Sequence, residues 1–277
     1  GGLNPRDANG AGGAGTIYLK PATSNGILII KNQDNVNLGQ TSYATLYGDD
    51  TNCTGTCLTQ PTTFDSITIQ NKGKLRLVGA QSVTTTGDVT VAANSELQYA
   101  PDNDGSPANG AWPTVNVGGN LTVNGTVSSD GLGFAYNTGA GAGGVGTNNG
   151  GGAGFGGAGG ASSDGGSGGS AYGSSQNIAY IGSGGGSAQG GSGGGHVEMN
   201  VTGNTTLAAT GIISANGDAG TTSGSVNGGG GSGGAIFLNT TGNLTVPSGA
   251  YIRANGGNGG ASLGGGGGGG RIFMITA

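Results

Sequence analysis

The chain has 277 residues, only 8% of them charged, with a net charge of -5 and eight Lys+Arg scattered along its length. There is no basic footprint for a nucleic-acid surface, and no apolar run approaches the ~20 residues a membrane-spanning helix needs. The 71 glycines stand far above the usual share of about 7%, yet they do not recur every third residue and only seven prolines accompany them, which excludes collagen.

Taken in chain order, the first predicted element is a glycine-to-strand entry, Gly12-Gly13-Ala14-Gly15-Thr16-Ile17-Tyr18-Leu19. The apolar run Ile27-Leu28-Ile29-Ile30 follows. Such β-branched runs in a weakly charged chain argue against a disordered low-complexity segment. Next come Cys53 and Cys57, separated by a short Gly-containing stretch. A metal site wants more ligands than these, and the single histidine, His196, is remote in sequence. A disulfide closing the loop is the favoured reading, and it fits an oxidising, extracellular compartment.

From Phe64 to Leu77 the pattern becomes strand, turn, strand. It returns at Gly87–Val91 with Ser95–Tyr99, at Gly119–Val127, at Gly203–Leu207 with Gly211–Ile213, and at Gly242–Val246 with Gly249–Ile252. Within each strand Leu, Ile and Val alternate with Thr, Ser and Asn, so one face is apolar and the other polar. The Gly-Asn and Gly-Asp pairs suit corners that need positive φ. Between Gly131 and Gly195 the only charge is Asp164, and small residues dominate around sparse aromatics. Glycine runs then lead into apolar strands at Gly195, Gly234 and Gly270, spaced 39 and then 36 residues apart. No stretch has the apolar spacing of a helix.

Strands of three to six residues cannot bury a core alone, whereas stacked rungs make one continuous core. The predicted fold is therefore all-β: a right-handed parallel β-solenoid (β-helix) with an ordered glycine-rich layer of extended or polyproline-II-like backbone. Residues 1–130 are read as solenoid rungs with the Cys53–Cys57 loop. Residues 131–277 are read as the glycine-rich part with repeats of 36 to 39 residues, in one continuous domain. Both ends read as mid-solenoid rungs of a longer repetitive protein.

The residues that carry chemistry are few. Asp102-Asn103-Asp104-Gly105 begins like a calcium loop but lacks the later ligands, so calcium at Asp102 and Asp104 is the one cofactor reading and a surface Asx turn is the plainer one. Tyr18, Tyr43, Tyr47, Tyr99 and Trp112 have side chains suited to stacking on a sugar ring, with core packing as the commoner role. His196 has no catalytic partner nearby in sequence, and Asp49-Asp50 fits a turn better than a hydrolytic pair. The seven Asn-x-Ser/Thr matches mostly fall in the Gly-Asn-Leu-Thr repeat and follow from corner chemistry.

Gly229–Leu238, Ile252–Gly260 and Gly12–Lys20 resemble the glycine-rich repeats of giant bacterial surface proteins, and Phe64–Leu77 is similar to the β-helix of secreted haemagglutinin-type adhesins. The resemblance implies a cell-surface location and an adhesin-like or filament role. The expected function is a structural, non-catalytic module that associates with copies of itself or with adjacent repeats. A tip recognising cell-surface glycans and a β-helix carbohydrate-active enzyme are the alternatives. No nucleic-acid or membrane-spanning role is expected.

Overall fold

A computed structural model describes residues 15–31, 43–47, 62–101, 112–174 and 180–277. These residues form an all-β structure, mainly of parallel sheets, whose one helical element is a 3-10 turn at Gly260–Ser262. Alternation of apolar and polar residues explains the inner strands, where buried positions fall at every second residue, as in Ser66–Gln70 and Lys74–Val78.

Three strands come first: β1 (Gly15–Leu19), β2 (Ile27–Lys31) and β3 (Ala44–Tyr47). From Thr63 the chain visits three sheets in rotation. One round is β4 (Thr63–Phe64), β5 (Ser66–Gln70) and β6 (Lys74–Val78), and the next is β7 (Ser82–Thr85), β8 (Val89–Val91) and β9 (Glu96–Ala100). A further round is β10 (Thr114–Val117), β11 (Leu121–Val123) and β12 (Thr126–Ser128). After a long glycine-rich excursion come β13 (His196–Val201), β14 (Thr205–Leu207) and β15 (Ile212–Ser214). A small antiparallel hairpin, β16 (Thr222–Ser223) and β17 (Val226–Asn227), precedes β18 (Ala235–Thr240), β19 (Leu244–Thr245) and β20 (Tyr251–Arg253). The last strand is β21 (Arg271–Ile275).

Each sheet takes one strand from every round. Sheet one runs β1-β2-β5-β8-β11-β14-β19, sheet two β21-β18-β13-β10-β7-β4, and sheet three β20-β15-β12-β9-β6-β3. Register is kept from round to round, so like residues stack. Leu28, Ile67, Val89, Leu121, Thr205 and Leu244 form one column. Val83, Val115, Met199, Leu238 and Met274 form another, and Leu75, Leu97, Val127, Ile213 and Ile252 a third. The inward members of the three sheets make one apolar cluster. Burial of each such side chain stabilises the fold by about 1.5–3 kcal/mol. The one polar step in these columns is satisfied, because Thr205 Oγ1 and Thr240 Oγ1, both fully buried, share a hydrogen bond of 2.8 Å.

The glycine-rich residues between rounds bond to one another through backbone amides. Gly152 N–H donates to the Gly160 carbonyl and Gly160 N–H to that of Gly266, both at 2.8 Å. Gly191 N–H donates to the Gly229 carbonyl and Gly230 N–H to that of Gly265, both at 2.9 Å. Many of these glycines have neighbouring carbonyls where a Cβ would stand: at Gly229 it would run into the Gly151 carbonyl, and at Gly152 into that of Gly266.

Two expectations change. The entry at Gly15–Leu19 differs from those at Gly195, Gly234 and Gly270, because β1 folds back antiparallel on β2 instead of entering a parallel round. The outermost described strand of sheet one at this end is therefore no mid-array rung. The glycines of the Gly-Asn and Gly-Asp corners, Gly87, Gly119, Gly203 and Gly242, do not have positive φ. They are required by close approach instead: a Cβ at Gly242 would lie 2.6 Å from Asn204 Oδ1 and 2.7 Å from the Gly203 carbonyl.

Candidate functional site

Three features stand out from regular packing. The first is a set of ladders on the polar faces and corners. At the corner entering sheet one, Asn120 N–H donates to Asp88 Oδ1 (2.7 Å), Asn204 N–H to Asn120 Oδ1 (2.9 Å) and Asn243 N–H to Asn204 Oδ1 (2.9 Å). At the exit from sheet three, Asn216 N–H donates to Asp130 Oδ1 (2.6 Å) and Asn255 N–H to Asn216 Oδ1 (2.9 Å). On sheet two, side-chain amides link Asn239 to Asn200, Asn200 to Asn116, and Asn116 to Ser82. Each side chain thus fixes the backbone or side chain one round away.

The second feature is the outer edge formed by β19, β20 and β21, on which no further strand pairs among the described residues. Apolar side chains are exposed there: Tyr251 at 54%, Met274 at 48%, Ile275 at 43% and Ile272 at 40%. Leu244 and Ile252 are only partly covered, so the core reaches solvent at this edge. Asn243, Leu244 and Met274 line a shallow notch in it.

The third feature is a polar and aromatic cluster at the start of β13. Trp112 stacks on His196 with ring centroids 4.2 Å apart and planes 11° from parallel, while its Nε1–H donates to Glu198 Oε2 (2.7 Å). His196 is 1% exposed. Its Nδ1 lies 3.2 Å from the Tyr180 carbonyl, which can only accept, and its Nε2 lies 3.6 Å from Glu198 Oε2 with no hydrogen-bond partner of its own. The neighbouring His196 ring is the main cause holding the Glu198 carboxyl below its ordinary range, with the Trp112 hydrogen bond adding to it. Tyr99 is fully buried, its hydroxyl unpartnered, and burial together with the nearby Glu198 charge pushes its phenol up. Further along the same sheet, Arg271 Nη2 donates to the Tyr172 carbonyl (2.8 Å), and burial pushes the Tyr172 phenol up to about 12.

Of the residues expected to stack on sugars, Tyr18 is exposed on β1 and its hydroxyl donates to the Asn25 carbonyl (2.6 Å). Tyr43 is half-buried beneath Lys74 and Arg76, donates to Glu96 (2.9 Å), and has its phenol raised by burial and by the Glu96 charge. Trp112 has one ring face against His196, and Tyr99 is core. Tyr18, Tyr43 and Trp112 belong to separate local contacts and are not drawn into one group. Cys53, Cys57, Asp102 and Asp104, together with the Tyr47 side chain, lie outside the described residues.

Among the described residues no three His, Cys, Asp or Glu side chains gather as metal ligands, and no helix is long and apolar enough to cross a membrane. The sequence pointed to neither the Trp112–His196–Glu198 cluster nor its tie to Tyr180; the i, i+2 spacing of His196 and Glu198 on one strand face was the available signal. No known protein family matches the chain, and neither does any curated protein or solved structure.

Proposed function

We propose that the chain is a structural, non-catalytic module of an extracellular surface protein or filament, built as a right-handed parallel β-solenoid with a glycine-rich layer packed beside it, and that it associates with a second copy through the outer edge of β19, β20 and β21. Rotation through three sheets in constant register supports the solenoid reading, and parallel crossovers in one sheet are almost always right-handed. Backbone hydrogen bonds between distant glycine segments support the layer. The observation that carries the functional reading is the combination of strand edges that no strand among the described residues pairs with and exposed Tyr251, Ile272 and Met274 on one end of the array. Open edges of this kind pair with other strands unless they are covered or charged. The antiparallel β1 at the other end makes a seamless head-to-tail stack the poorer geometry, so two copies meet edge to edge at their β21 ends.

Sedimentation velocity over a range of concentrations tests this. The wild-type chain is expected to associate, and the double substitution Ile272→Asp with Met274→Lys to remain monomeric while keeping the β-rich circular dichroism spectrum of the wild type. A wild-type chain that stays monomeric throughout, or a double variant that associates equally well, would overturn the reading.

A further inference from the structure

We propose that Asn258 is a site of spontaneous deamidation, singled out by the fold from seven Asn-Gly pairs among the described residues. The inference does not depend on the self-association reading. Asparagine followed by glycine is the pair most open to this reaction, because the attacking backbone nitrogen belongs to a residue with no Cβ to screen it. The pairs begin at Asn25, Asn124, Asn149, Asn216, Asn227, Asn255 and Asn258; two more, Asn9-Gly10 and Asn109-Gly110, lie outside the described residues. Sequence alone does not rank them. What ranks them is whether the glycine N–H that must attack is already committed to an acceptor.

In five pairs it is committed. Gly26 N–H donates to Asp65 Oδ2 (3.1 Å) and Gly125 N–H to the Val91 carbonyl (3.1 Å). Gly150 N–H donates to the Asn227 carbonyl, Gly217 N–H to that of Asn255 and Gly228 N–H to that of Thr221, each at 2.8 Å. Asn149 and Asn227 are also buried, and their side chains bond to each other (2.6 Å).

The remaining two pairs lie beyond β20, on the outermost round of the glycine layer. The Gly256 and Gly259 amides have no acceptor among the described residues, and the side chains of Asn255 and Asn258 are exposed and without a bonded partner there. Backbone ties separate these two. Asn255 is held on both sides, its N–H by Asn216 Oδ1 (2.9 Å) and its carbonyl by Gly217 N–H (2.8 Å). Asn258 is held only at its carbonyl, by Gly220 N–H (2.8 Å). Closing the ring requires rotation about the asparagine backbone, and Asn258 has less to break.

The Gly259 nitrogen, having given its proton to hydroxide, bonds to Asn258 Cγ. The Cγ–Nδ2 bond breaks and ammonia leaves with a proton from water. The five-membered imide then adds water at either carbonyl and opens to aspartate or isoaspartate. The sum is one amide and one water converted to one carboxylate and one ammonium, with no change of oxidation state. The isoaspartyl product inserts a methylene into the backbone just before Gly260, whose N–H donates to the Gly228 carbonyl (2.8 Å).

The test ages the native protein and the same chain unfolded in urea side by side in mildly alkaline buffer, with peptide mapping by mass spectrometry. Trypsin places Asn255 and Asn258 on one peptide, Ala254–Arg271. Electron-transfer fragmentation then separates the two sites and distinguishes aspartate from isoaspartate, and a less specific protease covers the other five pairs. Unfolded, all seven are expected to react at similar rates. In the native protein Asn258 should convert fastest and Asn255 next, with the five committed pairs at least about tenfold slower than Asn258, because a hydrogen bond must open before their nitrogen can attack. Asn258→Gln, at an exposed position, would need a six-membered ring and should end conversion there while leaving Asn255 unaffected. A native Asn258 that stays intact while the unfolded one reacts, or a committed pair that keeps pace with it, would overturn the proposal.

Discussion

Gly268 and Gly269 are neighbours in opposite situations. Gly268 is buried, and an added Cβ would strike the Gly157 carbonyl; Gly269 is exposed, and its Cβ would meet nothing closer than the Ala254 carbonyl at 3.9 Å. Gly268→Ala is therefore expected to destabilise by about 1–3 kcal/mol as overpacking. Gly269→Ala should be neutral or stabilising by about 0.5 kcal/mol, because it removes freedom from the unfolded chain. Chemical denaturation of the two variants checks this, and equal effects would mean that contact between glycine segments does not decide the cost. The same distinction, that glycine is there for room and not for φ, holds at Gly203 and Gly242 in the ladder corners.

At the scale of elements, the ladders link each corner to the next. Asn204→Ala removes the acceptor of the Asn243 amide but leaves the Asn204 amide on Asn120 Oδ1. The expected loss is about 1 kcal/mol, with faster hydrogen exchange confined to Asn243, while Thr206→Ala, on the exposed face of β14, leaves that amide unchanged. The strands themselves were largely legible. Each Gly-Asn-Leu-Thr-Val copy is a corner and a sheet-one strand, as at Leu121–Val123 and Leu244–Thr245, because period-2 alternation is local information. The ladder was not, because an Asn side chain reaching a backbone N–H 39 residues on, or 84 residues on across the glycine excursion, leaves no local trace. The Trp112–His196–Glu198 cluster was hidden for the same reason: its indole arrives from 86 residues before Glu198. The direction of β1 was misread because a glycine run before Thr-Ile-Tyr-Leu looks the same whether the strand enters a parallel round or folds back on its neighbour.

For the whole molecule, the amide-to-amide contacts of the glycine segments have a calorimetric consequence. Unfolding apolar strands raises heat capacity because hydrocarbon meets water, whereas exposing peptide groups lowers it. Here a large share of the chain has peptide and no side chain to expose, and 71 of 277 residues are glycine. The heat-capacity increment of unfolding, measured by scanning calorimetry, should fall clearly below the usual ~12–15 cal/mol/K per residue. An increment in the ordinary range would mean that the glycine segments add little to the cooperative unit. A small increment flattens the curve of stability against temperature, so the protein would weaken only gradually on warming and would resist cold inactivation, a tolerance gained from leaving side chains out.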